Sequence, residues 1–253
     1  MSITRRRFLG YTAGVLAAGL PGVSLEVTRR GCVLLDLNEG GCFRESVSGF
    51  ESALTGAGAQ WMRADARWMS PSRCAVLIVP AALEIPPPVV RVIVSCLQAG
   101  AGVIFESGAG FATDREFRAH RVVLRDYLQV HIEEPVELWP ENSSQRIPYV
   151  DYTWPRPAKV RDFSRVVPLG RQAGEVIAWV DGVPVALKRP GGRGNLIFLG
   201  SPLGPALWAG DAQARRWLLD CLRTAGGERA DVRSVCPPPK RSFISTATIT
   251  RAT

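Results

Sequence analysis

The stretch that decides the fold runs from Cys74 to Phe111 and reads CAVLIVPAALEIPPPVVRVIVSCLQAGAGVIFESGAGF. It opens with a short apolar run, Ala75 to Val79, which predicts a strand that ends at Pro80. After three prolines, apolar residues at helical spacing from Val89 to Gln98 predict a helix, and Val103 to Phe105 predicts a second strand. Because the connection is a full crossover, the two strands should be parallel members of one sheet that is covered on both faces.

The residues before this unit continue the alternation of strands and helices. A strand is predicted over Cys32–Leu37, a helix over Arg44–Ala57 and a short strand over Gln60–Ala66. The order strand, helix, strand, helix, strand predicts an α/β fold, and specifically a flavodoxin-like, doubly wound and mostly parallel sheet.

The residues after this unit begin with a helix and then change character. A helix is predicted over Thr113–Tyr127, with Asp114 as its N-cap. Beyond it the helical spacing stops, and an antiparallel β insertion is predicted over about residues 130–194. Within the insertion, Lys159–Leu169 predicts a strand, and Asp181-Gly182 predicts a tight type I′ turn between two strands.

One structured domain is predicted between two terminal segments. The domain covers residues 25–225, and it ends with a strand over Asn195–Leu199 that returns to the main sheet and a helix over Asp211–Leu222. Residues 1–24 are expected to be a signal peptide, and residues 226–253, which lack a buried pattern, are expected to be disordered.

The N-terminus has a pattern typical of exported proteins. Thr4 to Leu9, TRRRFL, resembles the twin-arginine export motif, and the apolar segment that follows, Tyr11–Leu20, is shorter than a membrane span of about 20 residues. We therefore expect the twin-arginine translocase to export the folded chain to the periplasm or another extracytoplasmic compartment. Cleavage after Ser24 and retention as an N-terminal membrane anchor both stay open.

The composition bounds the classes of partner. The chain has 253 residues, 46% of them hydrophobic, which is enough for a sizeable core. Its formal net charge is +8, but outside the leader the arginines are interspersed with acidic residues, so no nucleic-acid partner is expected.

The six cysteines do not form a metal-binding pattern. No Cys-x-x-Cys pair occurs, and neither His120 nor His131 has a second ligand nearby in sequence, so neither a metal nor a cofactor is predicted. Four cysteines lie in apolar patterns and are expected to fill the core, whereas two lie in loops: Cys32, Cys74, Cys96 and Cys221 belong to the first group, and Cys42 and Cys236 to the second.

Three stretches resemble the class I glutamine-amidotransferase-like superfamily: the strand ending at Val79-Pro80, the segment AGAGVI at Ala99–Ile104, and the segment GRGNLIFLGSP at Gly192–Pro202. The similarity is greatest to branches without amidotransferase activity, such as ThuA-like domains and the middle domain of some β-galactosidases. The resemblance implies the same α/β fold for roughly Cys32 to Leu222.

The resemblance also bears on catalysis. Catalytic members of the superfamily carry a cysteine at a sharp strand-to-helix turn. Here the corresponding stretch is ESGAG, so the nucleophile position falls on Gly108 or, one residue earlier, on Ser107, and no His-x-Glu follows. The cysteine–histidine–glutamate triad is therefore incomplete, and no amidotransferase activity is expected. The remaining catalytic candidates are Ser107 with His120 or His131 and Glu106, and Cys42 with Glu39.

Four loops are expected to meet at the carboxyl edge of the sheet, where open α/β sheets bind their ligands. They are Asn38–Cys42, Pro80–Glu84, Glu106–Gly110 and Ser201–Gly204. The polar residues that they contribute are the predicted ligand-binding set: Asn38, Glu39, Glu106, Ser107 and Ser201.

An aromatic segment, Tyr149 to Trp154, either forms one wall of that site or packs over the sheet. Arg161 is expected to pair with Asp151, which lies within this segment.

These features support three hypotheses about function. The first is an exported, non-catalytic glutamine-amidotransferase-like domain that binds a small molecule, a glycan or an envelope protein. The second is an envelope hydrolase that acts on sugar or peptide material through Ser107 or Cys42. The third is a structural component of an envelope complex.

Overall fold

The computed structural model describes residues 31–37, 43–65, 69–138, 148–162, 165–171 and 174–226. The strands are β1 (Gly31–Leu35), β2 (Trp61–Ala64), β3 (Cys74–Ala82), β4 (Gly102–Ser107), β5 (Val136–Glu137), β6 (Tyr149–Tyr152), β7 (Ala158–Arg161), β8 (Arg165–Val166), β9 (Glu175–Val180), β10 (Val183–Gly191) and β11 (Gly194–Leu199). The helices are α1 (Arg44–Gly56), α2 (Pro87–Ala99), α3 (Asp114–Val123), α4 (Gly204–Trp208) and α5 (Ala212–Gly226).

A nine-stranded mixed sheet runs through the domain in the order β2-β1-β3-β4-β11-β10-β9-β6-β7. The pairs from β2 to β11 are parallel, and the pairs from β11 to β7 are antiparallel. The predicted α/β class is therefore confirmed, as is the return of the strand after the insertion, because β11 lies beside β4 with Phe198 opposite Phe105. β5 and β8 form a separate two-stranded ladder.

Each face of the sheet is covered by its own set of helices. On one face, Phe50 of α1, Leu207 of α4 and Trp217 of α5 belong to one apolar core. On the other face, Ile93 of α2 and Phe117 of α3 belong to a second core. Since successive residues of a strand point to opposite faces, neighbouring residues of β4 enter different cores.

β3 extends past Pro80, where the sequence predicted its end. All nine of its residues are buried, and the strand reaches Ala82, which lies opposite Ser107 of β4. The register between β3 and β4 shifts after Val79, and Ala81 adopts a positive φ of 35°. This irregularity accommodates a proline, which cannot donate a backbone hydrogen bond, inside a central strand.

The helix after β4 is shorter than predicted and has a different cap. Thr113, and not Asp114, is the N-cap, and it forms a capping box in which its hydroxyl accepts from the Glu116 amide. α3 ends at Val123 and continues as a π-helical segment, Leu124–Leu128.

In the insertion, one predicted strand is wrong and the predicted hairpin is confirmed. The single strand predicted over residues 159–169 is two, β7 and β8. β9 and β10 form the predicted hairpin, and Asp181 and Gly182 both have the positive φ that a type I′ turn requires, at 47° and 83°.

The two predicted terminal segments are not among the described residues. The leader, Thr4–Leu9 included, and the tail after residue 226 lie outside the described residues. Among the helices of the described ranges, none is long and apolar enough to cross a bilayer.

Candidate functional site at the carboxyl edge of the sheet

Glu106 lies near the carboxyl end of β4, and its side chain is completely buried. One carboxyl oxygen accepts a hydrogen bond from the Ser46 hydroxyl of α1. The other accepts from the backbone amides of Leu203 and Gly204, at 3.2 and 3.0 Å. Burial raises the pKa of Glu106 to about 7, although these hydrogen bonds oppose the change. The carboxyl group therefore links β4 to α1 and to the start of α4.

Two glycines allow α1 and α4 to approach each other closely beside this carboxyl group. A Cβ atom on Gly49 would lie 2.1 Å from the Gly204 carbonyl oxygen, and one on Gly204 would lie 2.1 Å from the Ser46 hydroxyl. Any larger residue at either position would force the two helices apart.

Ser107 and His120 form a pair on the opposite face of the sheet. The Ser107 hydroxyl lies 3.1 Å from Nε2 of His120, and it accepts a hydrogen bond from the Ala109 amide at 3.2 Å. Both side chains are 1% exposed. Burial lowers the pKa of His120 to about 4. The Leu83 backbone raises this pKa, but by less than burial lowers it. His120 is therefore neutral at pH 7 and can accept the serine proton.

The structure brings together only part of the hypothetical triad. His120, and not His131, contacts Ser107. Glu106 precedes Ser107 in the same strand, and it is hydrogen-bonded to Ser46 on the other face, away from the imidazole. Nδ1 of His120 has no well-formed hydrogen bond to any described residue, so no carboxylate there orients the ring.

Three of the four predicted loops meet. The Gly108 amide donates to the Ala82 carbonyl at 2.8 Å, and the amides of residues 203 and 204 reach Glu106. Ser201 is buried and donates a hydrogen bond to Asp162, which is completely buried. The fourth loop, with Asn38, Glu39 and Cys42, lies outside the described residues.

Sequence reasoning missed two members of these buried clusters. Ser46 stands in the first turn of a predicted helix, where a serine gives no sign of a partner 60 positions later. Asp162 was not among the predicted site residues, and nothing in the local pattern indicates its contact with Ser201.

The aromatic segment packs against the domain. The Tyr152 and Trp217 rings lie 4.2 Å apart, and Nε1 of Trp217 donates to the Trp154 carbonyl at 2.8 Å. Asp151 forms an ion pair with Lys159 at 3.2 Å, where Arg161 was expected, because Lys159 is its partner in the register of β6 and β7. Of the two interpretations of the segment, packing is the one that these contacts support.

An open cleft beside α5 was not predicted from the sequence. It has a volume of about 480 Å³, and four arginines and one aspartate contribute to its lining. They are Arg156, Arg215, Arg216, Arg223 and Asp220.

The described cysteines and acidic residues do not assemble a metal site. Within the described ranges, no three His, Cys, Asp or Glu side chains lie close enough together to hold a metal ion. Cys32, Cys74, Cys96 and Cys221 are buried and not disulfide-bonded, which confirms that they fill the core. Cys42 and Cys236 lie outside the described residues.

Comparison with known proteins shows similarity at the level of the fold. No family model matches the sequence. A search of curated proteins also finds no match. Among solved structures, a β-galactosidase from Bacillus circulans sp. alkalophilus is 16% identical, with a TM-score of 0.55 over 74% of this chain and 31% of that chain. An α-L-fucosidase isoenzyme 2 from Paenibacillus thiaminolyticus is 14% identical, with a TM-score of 0.56 over 79% of this chain and 33% of that chain.

A third match covers nearly all of its counterpart. A cytoplasmic protein from Salmonella typhimurium LT2 is 12% identical, with a TM-score of 0.57 over 77% of this chain and 98% of that chain. This chain therefore spans about a third of the length of the glycoside hydrolases above, at 31% and 33%, and almost the whole length of the Salmonella protein.

These matches correct the family assignment made from sequence. The chain was expected to belong to the class I glutamine-amidotransferase-like superfamily, but its structural neighbours include β-galactosidases, a mannosidase and a fucosidase, and no family model supports the superfamily. The first functional hypothesis, an exported non-catalytic member of that superfamily, is therefore wrong in its family. Export itself gains no support, and the localisation stays a prediction from the sequence. At identities of 17% or less, the likeness establishes only that this chain shares a fold with about a third of each of these glycoside hydrolases.

Proposed function

We propose that this chain is a hydrolase that acts on sugar-containing material, with Ser107 as its nucleophile on a flavodoxin-like sheet. The observation that carries the proposal is the hydrogen bond of 3.1 Å between Ser107 and His120 at the carboxyl end of β4. The parallel strand order β2-β1-β3-β4-β11 supports the flavodoxin-like description. The fold shared with glycoside hydrolases supports sugar as the class of substrate.

The chemistry of the pair favours an ester bond over a glycosidic bond. Most glycosidases use two carboxyl groups that flank the scissile bond. A serine next to a neutral imidazole instead suits acyl transfer: the Ser107 oxygen attacks the acyl carbon, and its proton passes to Nε2 of His120. The protonated imidazole then gives the proton to the departing sugar hydroxyl, and water releases the acyl group. We therefore propose that the substrate is an acylated sugar.

The buried position of the pair defines what must move. Because Ser107 and His120 are each 1% exposed, we propose that the turn after Ser107, Ala109–Phe111, moves to admit a substrate; Ala109 lies against the pair, because its amide donates to the Ser107 hydroxyl. Phe111 at the end of this turn is 39% exposed, and its ring lies 5.3 Å from that of Phe43.

The proposal is tested by assaying the purified protein on p-nitrophenyl acetate, on an acetylated galactoside and on p-nitrophenyl β-galactoside. We expect both esters to be cleaved and the unacylated glycoside to be left intact. Ser107→Ala and His120→Gln should reduce the rate to background. Ser95→Ala removes a half-buried hydroxyl from α2 and serves as the control, which should keep the wild-type rate. Since the His120 pKa is about 4, the rate should fall only below about pH 4. Ester cleavage that survives in Ser107→Ala, or its absence from the wild type, overturns the proposal.

A further inference from the structure

We infer that the cleft beside α5 is a binding site for an acidic oligosaccharide, one that carries carboxylate groups on successive sugars. Among the described residues, Arg156, Arg215, Arg216 and Arg223 line it and Asp220 is the one acidic residue that does, so positive charge predominates there. That the acidic groups are carried by a sugar rests on the proposed function. The positive cleft itself does not depend on Ser107.

The two walls of the cleft are held together by hydrogen bonds. Nε1 of Trp217 donates to the Trp154 carbonyl at 2.8 Å, and the Lys159 amide donates to the Gln213 side chain at 2.8 Å. These bonds join α5 to the segment that carries Arg156. The arginines are therefore displayed from two elements with a fixed relative position, which reduces the entropy that a ligand loses on binding.

The arginine side chains are exposed and only lightly engaged. The Arg156 side chain is 67% exposed and lies 3.6 Å from a carboxyl oxygen of Asp220. The Arg223 side chain is 55% exposed, and one of its N–H groups donates to the other Asp220 oxygen at 3.1 Å. A guanidinium has five N–H donors, so most of the donors of these two arginines remain for a ligand. The fork of donors suits a carboxylate, which it binds through two parallel hydrogen bonds.

The buried Asp220 carboxylate favours a ligand that also carries a hydrogen-bond donor. It is 8% exposed, and its Oδ2 accepts no hydrogen bond from any described residue. The Arg156 guanidinium lies 3.6 Å from this oxygen, beyond hydrogen-bond distance, so a hydroxyl of the ligand can donate to it when Arg156 turns to hold the carboxylate. The Asp220 carboxylate repels any anion, and it repels a phosphate dianion more strongly than a singly charged carboxylate. The arrangement selects a monoanion that has a hydroxyl next to it, as in a sugar acid.

The spacing of the arginines favours an extended ligand. Arg216 and Arg223 are seven residues apart on α5, which places them on one side of the helix with a separation of about 10 Å along its axis. A chain with repeated carboxylates can place successive charges against the two arginines. Trp208, two residues before the lining residue Gly210, is 61% exposed and offers an apolar ring on which a sugar can stack.

The test is a binding titration of the full chain by calorimetry with a galacturonate trisaccharide, a neutral galactose trisaccharide and citrate. We expect only the acidic trisaccharide to bind, and its affinity to fall when salt is added. The double variant Arg216→Gln/Arg223→Gln should bind roughly tenfold more weakly or worse, since each arginine supplies charged hydrogen bonds. The matched control Arg115→Gln/Arg118→Gln removes the same charge from exposed positions of α3, on the other face of the sheet, and should bind normally.

The outcomes separate this inference from the proposed hydrolysis. Absence of binding, equal binding of the neutral trisaccharide, or unchanged binding in the α5 double variant overturns the cleft as the site. Citrate binding as tightly as the trisaccharide, or displacement of the trisaccharide by single-stranded DNA, overturns the acidic sugar as its ligand. Ester cleavage is measured on uncharged substrates and with Ser107 variants, so a failure there leaves the result of this titration unaffected.

Discussion

Replacing Glu106 by glutamine should change how the stability of the domain depends on pH. The protonated carboxyl group and the glutamine amide have nearly the same shape, and each has one acceptor oxygen and a donor. In Glu106→Gln, the amide oxygen can keep the hydrogen bonds from the amides of Leu203 and Gly204, and the NH₂ group can donate to Ser46. The variant therefore keeps these three contacts and removes the cost of burying a negative charge; the backbone of Ala81 also hydrogen-bonds the wild-type carboxyl group.

The magnitude follows from the pKa of Glu106, which burial raises from 4.5 to about 7. Between these pH values the folded protein keeps a proton that the unfolded chain has released, so the wild type loses stability as the pH rises from 4.5 to 7. Above pH 7 the loss is complete, and it amounts to about 3 kcal/mol. Relative to the wild type, Glu106→Gln should therefore gain about 3 kcal/mol between pH 4.5 and pH 8.

His120 makes the stability of the domain rise with pH, which is opposite to the effect of Glu106. Burial lowers its pKa from 6.5 to about 4, so the stability that comes from keeping it neutral is present above pH 6.5 and is lost as the pH falls towards 4. In the wild type, the two trends oppose each other between pH 4.5 and 6.5. In Glu106→Gln the Glu106 trend is removed and the His120 trend remains, so the stability of the variant should fall more steeply on acidification than that of the wild type.

The assay is urea unfolding, followed by tryptophan fluorescence, at pH 5, 6, 7 and 8. Glu84→Gln removes a carboxylate from an exposed position and serves as the control, for which we expect the same difference from the wild type at every pH. If the difference between Glu106→Gln and the wild type is also constant from pH 5 to pH 8, the raised pKa of Glu106 and the reasoning built on it are refuted.

Three further predictions concern packing, capping and catalysis. Gly49→Ala should lower the free energy of unfolding by about 1–3 kcal/mol, because its Cβ would meet the Gly204 carbonyl. The control is Gly56→Ala, whose added Cβ would enter open space and should not lower the free energy of unfolding. If the two variants lose the same stability in urea unfolding, the close contact of α1 and α4 is contradicted. Thr113→Ala should cost about 1 kcal/mol through loss of the capping box, and an unchanged melting temperature would show that the cap contributes nothing. The ester hydrolysis rate should stay constant from pH 5 to pH 8, whereas a midpoint near pH 6.5 would show that His120 is not buried as described.

The sequence predicted those elements whose pattern is local. The crossover between β3 and β4, the helices α1 and α2, and the hairpin at Asp181-Gly182 each follow from apolar spacing or from turn residues. The extension of β3 through Pro80 could not be predicted in this way, because a neighbouring strand and a local irregularity stabilise it. α4 was also missed, since five residues are too few to show a helical period.

At the candidate site, the sequence predicted that the three described loops meet, but not the hydrogen bonds that connect them. The placement of Ser107 near Ala82 follows from the parallel arrangement of β3 and β4. Which histidine reaches Ser107 depends on how α3 packs across the sheet, and the spacing of His120 and His131 carries no sign of it. The alternation of side chains along β4 could have shown that Glu106 and Ser107 face opposite ways. The cleft beside α5 depends on the contact of α5 with the 153–159 segment, which only the tertiary structure reveals.

The most direct test of the proposed function is intact-protein mass spectrometry after treatment with a fluorophosphonate, which reacts with activated serines. We predict one adduct on the wild type, located at Ser107 by peptide mapping, and none on Ser107→Ala or His120→Gln. An unlabelled wild type, or an adduct that persists in Ser107→Ala, would contradict the account.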